Sequence, residues 1–242
     1  MNFAFTLLDW QARAPGLNDL TDWQRWAKTP CAIDPEQPVG KCRHLPMMTA
    51  RRLNSGSRLS VDCGLSLLQQ HGGDAVVFTS RHGELERNLR ILMALSQQES
   101  LSPTDFTMSV HNSAVGSLTI AARSSLVSTS IAAGLDSFQQ GLLEVAALHK
   151  AGYRHVVLVD FDGAVPAFFD DKLPEQVPRY PYAVALLLAP GDDLTCASSP
   201  SSKAEEPGTP QSLQFLQAVL AQKKAFNIEG ANVSWQWKAR YE

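Results

Sequence analysis

Val127-Ser128-Thr129-Ser130-Ile131-Ala132-Ala133-Gly134 leads into a helical pattern over Leu135 to Lys150. A short β-branched segment meets an amphipathic helix through a turn of small residues. α/β enzymes place nucleophiles at such junctions, because the first helical turn offers unpaired backbone N–H groups and the positive end of the helix dipole. Here the residue at the turn is Ile131, which can neither attack nor be deprotonated. The stretch has the form of an active-site turn that lacks its reactive atom.

Outward from this junction, strands and helices alternate. Phe3 to Trp10 reads as a first strand and Leu126 to Ser130 as the strand entering the turn. Asp74 to Ser80, Arg154 to Phe161 and Tyr182 to Ala189 are strands apolar on both faces, which implies a sheet covered by helices on both sides. Helical patterns span Asn18 to Ala27, Ser57 to Gln70, Glu84 to Gln98, Asn112 to Arg123 and Asp136 to Lys150. Their spacing turns Leu59, Cys63, Leu67 and Leu68 inward on the second of these, and Leu85, Leu89, Leu92 and Met93 inward on the third. In the last, Phe138, Leu142, Val145 and His149 share a side. The alternation predicts an α/β fold with a mixed sheet. Pro30 to Pro46, rich in proline, reads as an ordered surface loop.

Residues 1–190 form the expected lobe. Gly191 to Gln211 has almost nothing to bury and reads as a flexible loop. Residues 212–242 then form a helix–strand extension: Ser212 to Phe226 is helical, and Asn232 to Tyr241 is a strand carrying Trp235 and Trp237 on one face. A chain of 242 residues with 44% hydrophobic and 19% charged residues has ordinary globular composition. A net charge of -3 gives no basic footprint for nucleic acid. No apolar run is long enough to span a membrane, and no secretory signal precedes Phe3 to Leu8, so a cytoplasmic protein is expected. Cys31, Cys42, Cys63 and Cys196 form no C-x-x-C pair and read as reduced structural thiols, with no metal site.

The approach to the turn, Ser109-Val110-His111-Asn112-Ser113-Ala114-Val115-Gly116-Ser117-Leu118-Thr119-Ile120, resembles the segment of β-ketoacyl synthases that runs up to their catalytic cysteine. The order of elements continues in step: a Ser-Thr strand end, the turn, a helix, and a hydrophobic strand, Arg154 to Asp162, followed by Val165-Pro166. The chain is most similar to the ketoacyl-synthase-like chain-length factors of aryl polyene gene clusters. This resemblance implies a single thiolase-like lobe, the ketoacyl synthase N-terminal one. It sets Ile131 at the position of the family's cysteine, with Thr129 and Ser130 matching the residues before it. No second lobe with the family's histidines is expected. Condensation needs an activated thiolate and donors for the oxyanion, so the implied protein has no catalytic residue and no cofactor of its own. The implied partners are a ketosynthase catalytic subunit, in a heterodimer, and transiently an acyl carrier protein. Leu126, Val127, Ser128 and Thr129 would form the paired edge strand. Phe106 and Met108 would line the tunnel that receives the growing polyene.

Other readings stand beside this one. Ser128, Thr129 or Ser130 could act as an acyltransferase nucleophile, but a serine needs a positioned base, and His111, the nearest histidine in sequence, has no evident orienting acid. Val157-Leu158-Val159-Asp160-Phe161-Asp162-Gly163 also resembles the first motif of haloacid-dehalogenase-type phosphatases. That motif opens its domain in those enzymes, and the acids after it here, Asp170-Asp171 and Asp192-Asp193, are poorly placed. A strand end with acids in its turn is the plainer reading. A homodimeric scaffold for acyl chains or carrier protein is a further alternative. Arg51, Arg52 and Arg58, and Arg87 with Arg90, read as solvated faces that could at most help dock an acidic carrier protein.

Overall fold

The computed structural model describes residues 2–29, 31–202 and 206–241. Pro30 of the proline-rich loop and residues 203–205 of the segment after Gly191 lie outside these. The chain opens with β1 (Asn2–Arg13) and α1 (Leu20–Lys28), whose N-terminus is capped by Asp19 accepting from the Asp22 N–H. Residues 31–46, without regular structure, lead to the single turn α2 (Met47–Ala50) and the long helix α3 (Ser55–His71). Then come β2 (Ala75–Thr79), α4 (Leu85–Ser96), α5 (Pro103–Thr107), α6 (Ser113–Ala122) and β3 (Val127–Ile131). They are followed by α7 (Ser137–Lys150), β4 (Val156–Asp162), β5 (Tyr182–Pro200), α8 (Gln211–Leu220), β6 (Ala225–Glu229) and β7 (Val233–Ala239).

The seven strands make one mixed sheet in the order β3-β2-β4-β5-β7-β6, with β1 antiparallel along β5. β3, β2 and β4 are parallel, and β5 reverses direction. Strand periodicity sorts the side chains into two cores. Ala75, Val77, Val156, Leu158, Leu186 and Leu188 face α1, α7 and α8, while Val76, Phe78, Val157, Val159, Ala185 and Leu187 face α3 and α6. The doubly apolar strands are therefore covered on both sides, as their composition requires. From Gly56 to Leu67 every residue of helix α3 except the exposed Arg58 is buried, more completely than a one-faced pattern suggests. Its start touches the end of β4: a Cβ on Gly56 would lie 2.5 Å from the backbone carbon of Asp162 and the nitrogen of Gly163.

Three expectations are corrected. Residues 191–200 are not a loop but the second half of β5, which bends at Pro190-Gly191 and is held between β1 and β7. That half turns Leu194 and Cys196 into the core, so two pairing partners supply the order that its polar composition conceals. Consequently α8, β6 and β7 share one core with β1, β4 and β5. The helix after the loop stops at Leu220. Gln222 takes a left-handed φ of 52° and the Lys223 N–H returns to the Ala218 carbonyl, a helix-ending arrangement. Phe226 accordingly lies in β6, not in a helix. On α4, Leu92 and Met93 point outward, 59% and 44% exposed, and the buried residue is Arg87.

The C-terminal segment closes the core with an aromatic cluster. The Trp237 ring lies 5.6 Å from both Phe3 and Phe5, 4.9 Å from Phe215, and stacks on Phe226 at 6.0 Å. Rings from β1, α8, β6 and β7 thus meet at one point. Cys63 and Cys196 are buried, burial pushing both thiols up to about 12, and none of the four cysteines is paired.

Candidate functional site

The turn after β3 sits at one end of the sheet. Ile131 pairs in register with Thr79 of β2, which pairs in turn with Asp160 of β4, so the three residues form one rung across the parallel strands. Ile131 is half-buried against the α7 core, and its carbonyl accepts from the Ser80 N–H at 3.3 Å. Ala132 and Ala133 are exposed. Gly134, at φ +59°, opens a 3-10 turn to Asp136 before α7 begins. The helix thus starts six residues beyond Ile131, further away than the sequence pattern suggests. The Asp136 carboxylate is committed inward, accepting from Trp235 Nε1 at 2.9 Å, Gln211 Nε2 at 3.1 Å and the Ala231 N–H at 3.0 Å.

His82 borders the same cavity as Gly134 and Leu135 of the turn. His111 Nε2 lies 3.2 Å from the Ser80 carbonyl. Among the described residues no histidine bonds to Ser128, Thr129 or Ser130, and Ser130 Oγ is buried without a hydrogen-bond partner. This arrangement gives a serine nucleophile nothing to activate it.

Asp160 and Asp162 are both buried and are served by internal donors. Asp160 accepts from Thr79 Oγ1 at 2.6 Å, Ser212 Oγ at 2.5 Å and the Tyr182 hydroxyl at 3.2 Å. Asp162 accepts from Ser80 Oγ at 2.6 Å and the His82 N–H at 2.8 Å, with the Tyr182 hydroxyl at 3.4 Å. Burial pushes the Asp160 carboxyl up to about 7, against the pull of the Ser212 and Thr79 hydrogen bonds. Burial and the two carboxylates hold the Tyr182 phenol protonated well beyond its ordinary range. Above the pair lies a small cavity of about 40 Å³, bordered by Arg81, which is ion-paired with Glu206. That space is on the order of one or two waters. Both carboxylates border this cavity but are engaged by internal donors, Asp160 tying β4 to β2, β5 and α8 and Asp162 tying it to Ser80 and Tyr182, which favours a structural role over the phosphatase reading.

The expected interface residues lie along the edge strand β3, whose start, Val127, pairs with Ala75 at the end of β2 opposite the Ile131 turn, and the expected tunnel residues lie at α5. β3 is an edge strand that pairs only with β2 among the described residues. Val127 and Ser128 are exposed and Thr129 is half-buried, while Leu126 just precedes the strand and packs toward α6. Phe106, on α5, is 64% exposed; Met108, just past that helix, packs against the α3/α6 core. Large apolar side chains are exposed along the α4–α6 segment: Leu92, Met93, Leu95, Phe106, Val110 and Ile120. The arginines behave unlike one solvated face. Arg51, Arg52 and Arg58 are exposed. Arg87 is buried and ion-paired with Asp105, its Nη2 donates to the Arg52 carbonyl at 2.8 Å, and its Nε lies 3.7 Å from Glu84. Nothing in the sequence marked this network or the Tyr182 and Ser212 contacts, because each joins residues far apart in the chain.

A mixed sheet in this order, with a buried helix on one face and a small-residue turn after its parallel edge strand, defines a ketoacyl-synthase-type lobe. Residues 23–238 match the model of the β-ketoacyl synthase N-terminal domain, and the chain belongs to that family. A chain of the solved complex of the ketosynthase ApeO with its chain length factor ApeC, from Xenorhabdus doucetiae, is 54% identical. The match covers 98% of this chain and 99% of that one, with a TM-score of 0.94. The ishigamide ketosynthase/chain length factor matches at 10% identity over 99% and 100% of the two chains, with a TM-score of 0.77. A β-ketoacyl synthase from Burkholderia phymatum STM815 matches at 11% identity over 91% and 71%, with a TM-score of 0.58. At those two identities the likeness is one of fold. No curated protein matches the sequence. Among the described residues no helix is long and apolar enough to cross a membrane.

Proposed function

We propose that this chain is a chain-length-factor-like subunit, without a nucleophile of its own, that pairs with a ketosynthase catalytic subunit during aryl polyene elongation. The observation that carries this reading is a parallel edge strand, β3, whose outer side pairs with no strand among the described residues, on the same chain as an exposed apolar α4–α6 segment. An open edge and a run of exposed apolar side chains are both liabilities unless another chain covers them. The 54% identity to a chain from a ketosynthase–chain length factor complex supports a ketosynthase as that chain. In this reading Leu126, Val127, Ser128 and Thr129 pair with the partner's edge. Phe106 and Met108 wall the tunnel, so that bulk there limits product length. Acyl carrier protein visits the assembled pair only transiently, and Ile131 fills the place of the cysteine.

Co-expression with a ketosynthase tests it. Co-purification at fixed stoichiometry is expected, with loss of the complex in Val127→Asp. A stable homodimer that ignores the ketosynthase would sink the reading. Phe106→Ala and Met108→Ala in the assembled complex should lengthen the product; unchanged length in both removes them as tunnel wall.

A further inference from the structure

Helix α5 is five residues long and buries none of its side chains. Its own residues therefore add little apolar packing, and the apolar anchor is Met108, just past its end, which packs against the α3/α6 core. Its first turn is capped by Ser102 Oγ, which accepts from the Asp105 N–H at 3.2 Å. Beyond that local cap, its side-chain link to the rest of the lobe is the Asp105 carboxylate. Asp105 Oδ1 is gripped by Arg87 and by Arg90 Nη2, the latter at 3.1 Å. Arg87 is 3% exposed and is itself fixed by Glu84, the Arg52 carbonyl and, at 3.5 Å, Asn54. Glu84 in turn accepts from Asn54 Nδ2 at 2.8 Å, from Ser113 Oγ at 3.2 Å and from Ser57. The starts of α3, α4 and α6 thus converge on the Glu84 carboxylate, which lies 3.7 Å from Arg87 Nε. A buried, multiply held arginine is a rigid anchor, and a carboxylate bonded to it inherits that rigidity. The next residue after Asp105 is Phe106.

We infer that Arg87, Arg90 and Asp105 form a clamp that positions Phe106, making them specificity-determining positioning residues for product length. This rests on the reading of Phe106 as tunnel wall. Phe106 is 64% exposed, so its own burial does little to hold it before a partner arrives. A clamp anchored in the core presents the ring in one place, and a sharp length limit requires a wall that does not yield. Releasing Asp105 leaves Glu84 close to Arg87, so the buried charge keeps a counterion while α5 loses its polar tether.

The test uses the co-expressed complex with its ketosynthase, supplied with acyl carrier protein, and reads the distribution of polyene lengths. The variants are Asp105→Asn, Arg90→Ala, Phe106→Ala and the double variant Phe106→Ala/Asp105→Asn. Asp105→Asn and Arg90→Ala are expected to co-purify normally and to broaden the distribution toward longer products. In the Phe106→Ala background, Asp105→Asn should add nothing, because both act through one ring; a general loosening of the lobe would add to it. If Phe106→Ala shifts the lengths and Asp105→Asn and Arg90→Ala do not, the clamp is overturned while the tunnel reading stands. If Phe106→Ala shifts nothing, both fall. A shift by Asp105→Asn that persists in the double variant also overturns the clamp. Should Asp105→Asn fail to assemble, Arg90→Ala, on the half-exposed side of the clamp, is judged by the same criteria.

Discussion

Tyr182 places its hydroxyl 3.2 Å from Oδ2 of Asp160, with both residues buried in the middle of the sheet. The same hydroxyl lies 3.4 Å from Asp162. One phenolic proton is thus shared between two carboxylates, and Asp160 is the one that burial pushes up to about 7. In the unfolded chain an aspartate titrates near ~4. Between these values the folded state binds a proton that the unfolded state does not, so this contribution to stability is complete below about pH 4 and declines as pH rises through 7. Urea unfolding should accordingly give lower stability at pH 8 than at pH 5.5. Asp160→Asn, which mimics the protonated acid, should flatten that slope and match or exceed wild type at pH 8. An unchanged slope would show that Asp160 does not set it.

The close approach of α3 to β4 leaves no room for a methyl group at Gly56, whose added Cβ would meet backbone at 2.5 Å. Backbone cannot rotate aside as a side chain can. Gly56→Ala should cost about 1–3 kcal/mol or more through overpacking, read as a lowered denaturation midpoint. A neutral result would mean that helix and strand slide apart easily.

Trp237 joins rings from β1, α8 and β6, so its truncation should be felt throughout the lobe. Trp237→Ala is expected to cost about 3–5 kcal/mol, and removal of residues 212–242 should prevent folding. A truncated chain with a cooperative unfolding transition would restore the view of that segment as an appendage.

Ile131→Cys puts a thiol at the place proposed for the family's cysteine, yet among the described residues no histidine or arginine side chain is seen hydrogen-bonded to the turn, and α7 begins six residues on. Its alkylation, followed by mass spectrometry of the peptide to separate it from Cys31 and Cys42, should have a midpoint at or above pH ~8.5, that of an ordinary thiol. A midpoint near pH 6 would mean that the turn still carries an activating field.

The lobe was legible where burial is symmetrical. Ala75 to Phe78 and Val156 to Val159 are apolar on both faces, and only a sheet covered on both sides accommodates them. The α4 stripe was legible as a stripe but not in its direction. Leu85, Leu89, Leu92 and Met93 repeat at helical spacing, and a period reports an apolar face without naming what covers it. Leu92 and Met93 therefore read as core while they face outward. Arg87 read as solvated because its partners, Asp105 and the Arg52 carbonyl, are distant in sequence. The second half of β5 was missed because Gly191-Asp192-Asp193 and the serines after it have loop composition, and only Leu194 and Cys196 carry the alternating signal. At the turn, Ile131 was readable from one letter, whereas whether a histidine bonds to the serines beside it needed three dimensions.

β5 also sets a timetable. Its first partner, β1, is synthesised at the start of the chain, but the residues it pairs with, Ala183 to Ala197, follow roughly 170 or more residues later. At ribosomal speeds of about 5–20 residues per second, β1 waits on the order of ten to thirty-five seconds for its strand mate. Phe3, Phe5 and the unpaired length of β1 are exposed throughout that interval. Codon changes that slow translation ahead of Tyr182 should therefore lower soluble yield without altering a single residue.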